Sequence, residues 1–357
     1  IGVAAAISLG GPGAVFWMWI IAILGMSTKY CEAFLAIMYS EKNRRGAKVG
    51  GPMYYIKNGL GSGWSWLAYL FAFFGMVASF GIGNTVQANA IASTVFEVFT
   101  VEKSLSGFIV SITVGLVILG GVKRIGFIAS RLVPLMVIVY VLLCLFVIVK
   151  NIDSIHVIFQ LIFTEAFNLK SGSGAGMWLA IKWGFARGMF SNEAGLGSAA
   201  IAHGASNADD PVKQGSIAMI GTFIDTIIIC TLTALVLLLA GLDFALENGA
   251  LISTAAFSYH FGHIGKIVLT IAIVIFAFTT ILGWSYYGEK CTEFLFGENS
   301  VIAFRVLWVT AVFVGSTIQF NLIWSVADIF NGLMAAPNLI AIILLSPVVF
   351  NKSMKNK

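Results

Sequence analysis

Apolar residues run along this chain in stretches long enough to cross a lipid bilayer, separated by short polar connections. A hydrocarbon core asks for about 20 consecutive apolar residues per helix. Runs of this kind predict helical spans at 13–40, 64–98, 106–121, 125–149, 175–204, 214–241, 264–288, 301–319 and 322–349, preceded by an apolar stub at 1–9. Two connections are patterned themselves. Within 152–168, Ile155, Ile158, Phe159, Ile162 and Phe163 group at helical spacing and predict a helix lying in the interface. Residues 249–262 predict a second hairpin or helix over one face.

Composition narrows the class. The 357 residues are 59% hydrophobic and 10% charged, with a mean hydropathy of +0.95. Soluble domains carry about a quarter of their residues charged. The expected fold class is therefore an all-α membrane protein whose outer face meets lipid. The net charge of +5 forms no groove or stripe suited to nucleic acid. Its cations cluster between apolar runs: Lys42, Arg44, Arg45, Lys48 and Lys57; Lys123 and Arg124; Lys352, Lys355 and Lys357. Connections of the opposite parity, such as 99–105 and the turn near Gln319, hold fewer. This bias predicts a multi-pass plasma-membrane protein with its first loop, the Lys123 turn and its C-terminus cytoplasmic. Cys31, Cys144, Cys230 and Cys291 lack metal-ligand spacing and read as packing residues. No HExxH, GxSxG or phosphate-loop pattern occurs, so neither enzyme chemistry nor an organic cofactor is expected, and no obligate protein partner is implied.

Polar residues inside the apolar runs carry the candidate chemistry, because ionisable groups at mid-bilayer usually face a bundle interior or cavity. The segment KWGFARGMFSNEAGLGSAAIAHG (182–204) places Ser191, Asn192 and Glu193 among Gly184, Gly188, Gly195 and Gly197. Glycine weakens a helix by about 1 kcal/mol relative to alanine. Three consecutive polar side chains do not suit lipid. Both facts predict a helix broken near 190–197, with freed backbone groups facing an ion, a substrate or neighbouring helices. In GIGNTVQANA, Asn84, Gln87 and Asn89 lie inside an apolar run, and Asn84 and Gln87 share a face at helical spacing. They suit either a zwitterion or interhelical hydrogen bonding. Thr279 and Thr280 offer hydroxyl oxygens to a hard cation, or bond back to their own helix. Glu32, Asp225 and Asp328 are lone acids, expected to pair with Arg187, Lys182 or freed backbone amides, or in one case to relay a proton.

Five motifs, GGPGAVFWMW (10–19), GMSTKY (25–30), GGPMYYIKNGL (50–60), GNTVQANA (83–90) and GMFSNEAGLGSA (188–199), resemble the alanine/glycine:cation symporters, in the expected order along the whole chain. The resemblance implies the leucine-transporter-type fold, two inverted five-helix repeats whose first helices are broken at mid-membrane. It implies one transmembrane transporter domain over 1–357. The first repeat spans about 1–149 and starts partway through its first broken helix. The second spans about 175–319, and the tenth core helix about 322–349. A faint echo, Gly2-Val3-Ala4-Ala5 against Gly197-Ser198-Ala199-Ala200, agrees with the repeat. By the same resemblance, Gln87, Phe190, Ser191, Asn192 and Trp284 should touch substrate, and Thr279 and Thr280 should ligate sodium. The implied function is sodium-coupled symport of a small neutral amino acid, alanine or glycine, into the cell. The alternative is a proton-coupled amino-acid permease of the same fold, relying on Glu193 or Asp225.

Overall fold

A computed structural model describes all residues except 45, 169–174, 243–248, 319 and 356–357, and side chains at 175, 320–323 and 355 are also outside the description. Arg45, Gln319 and Lys357, used above for the charge bias, therefore lie outside the described residues.

Among the described residues the regular structure is helical apart from one antiparallel pair of two-residue strands, β1 (Glu41–Lys42) and β2 (Lys48–Val49). The helices are α1 (Gly2–Gly10), α2 (Ala14–Met38), α3 (Pro52–Gly59), α4 (Ser62–Phe99), α5 (Lys103–Ile118), α6 (Gly121–Lys150) and α7 (Ile155–Ala166). They continue as α8 (Ala175–Asn192), α9 (Ser198–Gly204), α10 (Pro211–Leu239), α11 (Gly249–Phe296), α12 (Ser300–Thr317) and α13 (Phe320–Lys355). Among the described residues, seven helices are long and apolar enough to cross a membrane, and α5 is a shorter apolar helix. The protein is an all-helical, multi-pass membrane protein.

Local chemistry sets several boundaries. Asp210 caps α10 by accepting the amides of Val212 (2.9 Å) and Lys213 (3.3 Å), and Pro211 takes the first helical position, where no donor is needed. Thr100 adopts a left-handed conformation and ends α4. α11 reads as one helix but turns at Gly262, whose φ of 63° only glycine adopts freely. The predicted element at 249–262 is thus a helical arm that packs on α1 and α10, with Ile252 and Ala256 in the apolar cluster these helices share with α2. α7 is the predicted connection helix, and its inward face is Ile158, Ile162 and Ala166, while Phe163 is exposed.

The predicted span at 175–204 is two helices, α8 and α9, separated by residues 193–197. α8 lies close against α2 because Gly184 and Gly188 face it; a Cβ at Gly188 would reach Ile21 at 2.5 Å. α1 packs on the same helix.

Candidate functional site

The break between α8 and α9 lies where Glu193, Gly195 and Gly197 all have positive φ (57°, 88° and 79°). These conformations stop a right-handed helix and leave amides and carbonyls without helical partners. Side chains from two distant helices supply them. Glu32 of α2, wholly buried, accepts the amides of Gly195 and Gly197 on Oε1, each at 3.0 Å. The same oxygen accepts Asn338 Nδ2 of α13 at 2.7 Å. Asn338 Nδ2 also donates to the Gly195 carbonyl (2.9 Å), and Tyr55 of α3 donates its hydroxyl to Asn338 Oδ1. One turn before Glu32, buried Lys29 donates to the Asn192 carbonyl at 2.7 Å.

Beside the break is a cavity of about 520 Å³, walled by α1, α4, α6, α10, α11 and the end of α8. Gln87, Phe190, Ser191, Glu193, Asp225 and Trp284 are among its lining residues. Two π-helical stretches, Gly81–Thr85 in α4 and Phe223–Cys230 in α10, both border it, through Ile82 and Asp225 respectively. Such wide turns are rare and recur at functional sites.

The polar wall is cross-linked between helices. Ser191 Oγ donates to Asp225 Oδ2 at 2.7 Å, and Thr226 Oγ1 donates to the same oxygen at 2.9 Å. Glu193 accepts Trp284 Nε1 on Oε1 (3.0 Å) and Ser198 Oγ on Oε2 (2.7 Å). It thereby ties the break to both α9 and α11. Neither Lys nor Arg is among the described residues that line the cavity, whereas two carboxylic acids are.

Of the expected site residues, Gln87, Phe190, Ser191, Thr280 and Trp284 border this cavity. Gln87 donates to the Ile82 carbonyl of its own helix at 3.1 Å. Phe190 stacks on Trp324 of α13 with ring centroids 4.9 Å apart. Asn192 and Thr279 are not in the cavity wall. The Asn192 amide donates to Thr226 Oγ1 (3.1 Å), and its Oδ1 accepts the Ala194 amide (2.9 Å). Thr279 donates to the carbonyls of Ile275 and Phe276 at 3.0 and 2.9 Å, and Thr280 to Phe276 at 2.9 Å. Asn84 and Asn89 bind carbonyls of Trp308, Gly315 and Ile318 and hold α4 to α12 and the residue after it.

Among the lone acids, Glu32 meets freed amides and Asp328 forms a two-toothed ion pair with Arg187, both contacts at 2.8 Å. Arg187 also lies over the Trp324 ring at 4.3 Å. The residues that sequence reasoning passed over are Asn338, Tyr55 and the role of Lys29. The available signal was the pair of asparagines, Asn331 and Asn338, in the apolar run 322–349.

A profile of the sodium:alanine symporter family matches residues 1–356. The chain is 47% identical over 369 residues to the sodium/alanine symporter AgcS of Methanococcus maripaludis, spanning 100% of this chain and 81% of that protein. It is 38% identical over 351 residues to the amino-acid carrier protein AlsT of Bacillus subtilis, spanning 98% of this chain and 74% of that protein. It is 39% identical over 357 residues to a protein of the same bacterium named a probable sodium/glutamine symporter, GlnT, spanning 98% and 73%. These matches support sodium-coupled amino-acid symport, and they concern transporters rather than enzymes. The chain belongs to the sodium:alanine symporter family.

Proposed function

We propose that the protein is a secondary active transporter that carries a small neutral amino acid, alanine or glycine, into the cell together with sodium. The observation that carries this reading is the 520 Å³ cavity at the interrupted helix, lined by two acids and by neither Lys nor Arg among its described residues. A zwitterion adds no net charge to such a site. An accompanying cation does, so amino acid and sodium together suit the wall better than either alone. Phe190 and Trp284 are the apolar boundary toward the substrate side chain. Gln87 and Ser191 supply polar contacts, and Asn192 shapes the break from behind through Thr226 and Ala194. Thr279 and Thr280 are the hydroxyl ligands of the sodium ion in this reading, with Thr280 at the cavity edge. One sodium moving through 100 mV contributes about 2.3 kcal/mol. At 1.4 kcal/mol per tenfold this drives roughly 50-fold accumulation.

The leucine-transporter-type architecture belongs to the same reading. Its support is the interrupted α8–α9 pair, the packing of α1 on α8, and the start of α1 and α9 at the two echoed Gly-x-Ala-Ala segments. One domain over 1–357, with repeats of about 1–149 and 175–319 and a tenth core helix at about 322–349, follows from it. A plasma-membrane location with a cytoplasmic C-terminus follows from the Lys/Arg bias. Glu193 and Asp225 in the wall support a second reading, proton-coupled permeation, in which one of them carries the proton. Labelled alanine uptake driven by an imposed sodium gradient at equal pH separates the two. Uptake under a proton gradient without sodium would favour the second.

A further inference from the structure

The two ends of a broken helix carry opposite partial charges: exposed carbonyls at the C-terminus of the first half, exposed amides at the N-terminus of the second. Here both ends are met by charged side chains from one turn of a single neighbouring helix. Lys29 and Glu32 stand three apart on α2 and share a face. Lys29 places its ammonium on the Asn192 carbonyl at the end of α8, and Glu32 places its carboxylate on the Gly195 and Gly197 amides ahead of α9. Lys29 is 6% exposed and Glu32 is 0% exposed, so water screens neither. Glu32 Oε2 has no hydrogen-bond partner among the described residues. Asn192 is the residue between Ser191 and Glu193, both of which line the cavity, so the ammonium is bonded to the backbone that joins two residues of the cavity wall. The other buried cation close to the break, Arg187, is bound on two atoms by Asp328.

We propose that Lys29 is a resident counter-cation of the transport site: a tethered ammonium at the carbonyl end of the break whose charge limits how strongly the cavity draws the coupling ion. The proposal rests on the sodium-coupled reading given above. Through the Asn192 carbonyl, Lys29 is held next in sequence to Glu193, one of the two cavity acids. Its fixed charge opposes a mobile cation in the same wall. It holds the affinity for sodium low enough for release on the low-sodium side. Glu32, which is not among the residues lining the cavity, balances it and keeps the ammonium from repelling sodium altogether.

The test is the sodium dependence of labelled alanine uptake in liposomes by the full-length natural protein and its variants. Lys29→Met removes the charge and keeps most of the side-chain volume. Lys29→Gln removes the charge and retains a donor for the Asn192 carbonyl. Lys29→Arg keeps the charge. Both neutral variants should reach half-maximal uptake at a sodium concentration lower by roughly threefold or more, since burial leaves the lost repulsion weakly screened. The Arg variant should match the unaltered protein. Glu32→Gln leaves the ammonium unbalanced and should shift the requirement upward. Glu32→Gln thus tests the proposal even if the neutral Lys29 variants fail to fold. A purely structural Lys29 gives the opposite for Met and Gln: a raised or unchanged sodium requirement in both, which overturns the proposal, as does an unchanged requirement in Glu32→Gln. Failure of the underlying reading looks different, because the unaltered protein would then show no sodium-driven alanine uptake.

Discussion

Glu193 and Trp284, ninety-one positions apart, are joined by a hydrogen bond from the indole Nε1 to carboxylate Oε1 at 3.0 Å. The bond links the backbone break to α11 across the cavity wall. It makes Trp284 more than an apolar face, because its removal also frees an acid that already holds a left-handed conformation.

Trp284→Ala should therefore have two effects. The wider cavity should admit valine and leucine as competitors of alanine uptake, and alanine itself should bind more weakly. Trp284→Phe keeps most of the bulk and loses only the donor, so it should weaken alanine transport without admitting the larger side chains. Competition profiles identical to the unaltered protein in both variants would remove Trp284 from the substrate wall.

Replacing Thr279 by Val and Thr280 by Ala together should raise the sodium needed for half-maximal uptake by about tenfold, the effect of losing about 1.4 kcal/mol of ion binding. Both hydroxyls bond back to their own helix, so membrane insertion should be unaffected. Thr280→Ala alone should account for the larger part, since Thr280 borders the cavity and Thr279 does not. An unaltered sodium requirement in the double variant would sink the ion-ligand role.

Gly197→Ala should destabilise the break. Its φ of +79° disfavours a side chain by about 1–2 kcal/mol, and the new Cβ would come within 2.9 Å of Asn338 and Phe71 side-chain atoms. Thermal unfolding in detergent should shift downward and uptake should fall, whereas Gly63→Ala, whose Cβ meets open space, should leave both unchanged. Equal stability of the two variants would mean that the left-handed geometry at 197 is dispensable.

Arg187→Lys should not behave as a conservative change. A lysine cannot make both bonds to Asp328 and keep a planar face on Trp324. The stacked Phe190 beside it should lose its support, so alanine affinity should drop while the charge is unchanged. Alanine uptake with the same half-saturation as the unaltered protein would show that the ion pair does not position Phe190.

The break itself was legible in the sequence because two independent signals coincide at 188–199, a run of glycines and three successive polar residues in an apolar span. Its partners were legible only in part. Glu32 stands out as a lone acid suited to freed amides, and Asn338 as a polar residue in an apolar run, but at 163 and 143 positions from Gly195 nothing in the local pattern of α2 or α13 says that this break is what they meet. Asn84 and Gln87 were expected to share a face, yet one binds Trp308 and the other faces the cavity. The π-helical stretch Gly81–Thr85 accounts for this, since a wider turn rotates the residues around it off the 3.6-residue spacing. The helical arm at 249–261 was ambiguous because its apolar positions continue into the following span, and only the φ of Gly262 separates them.

Coupled movement of the two solutes is the claim on which the rest depends, and alanine-stimulated entry of radioactive sodium into liposomes carrying the full-length protein measures it directly. With an inside-negative potential, external alanine or glycine should accelerate sodium entry, and sodium should in turn accelerate labelled alanine entry. Sodium entry that is indifferent to both amino acids, alongside alanine entry that follows an imposed proton gradient, would contradict the account.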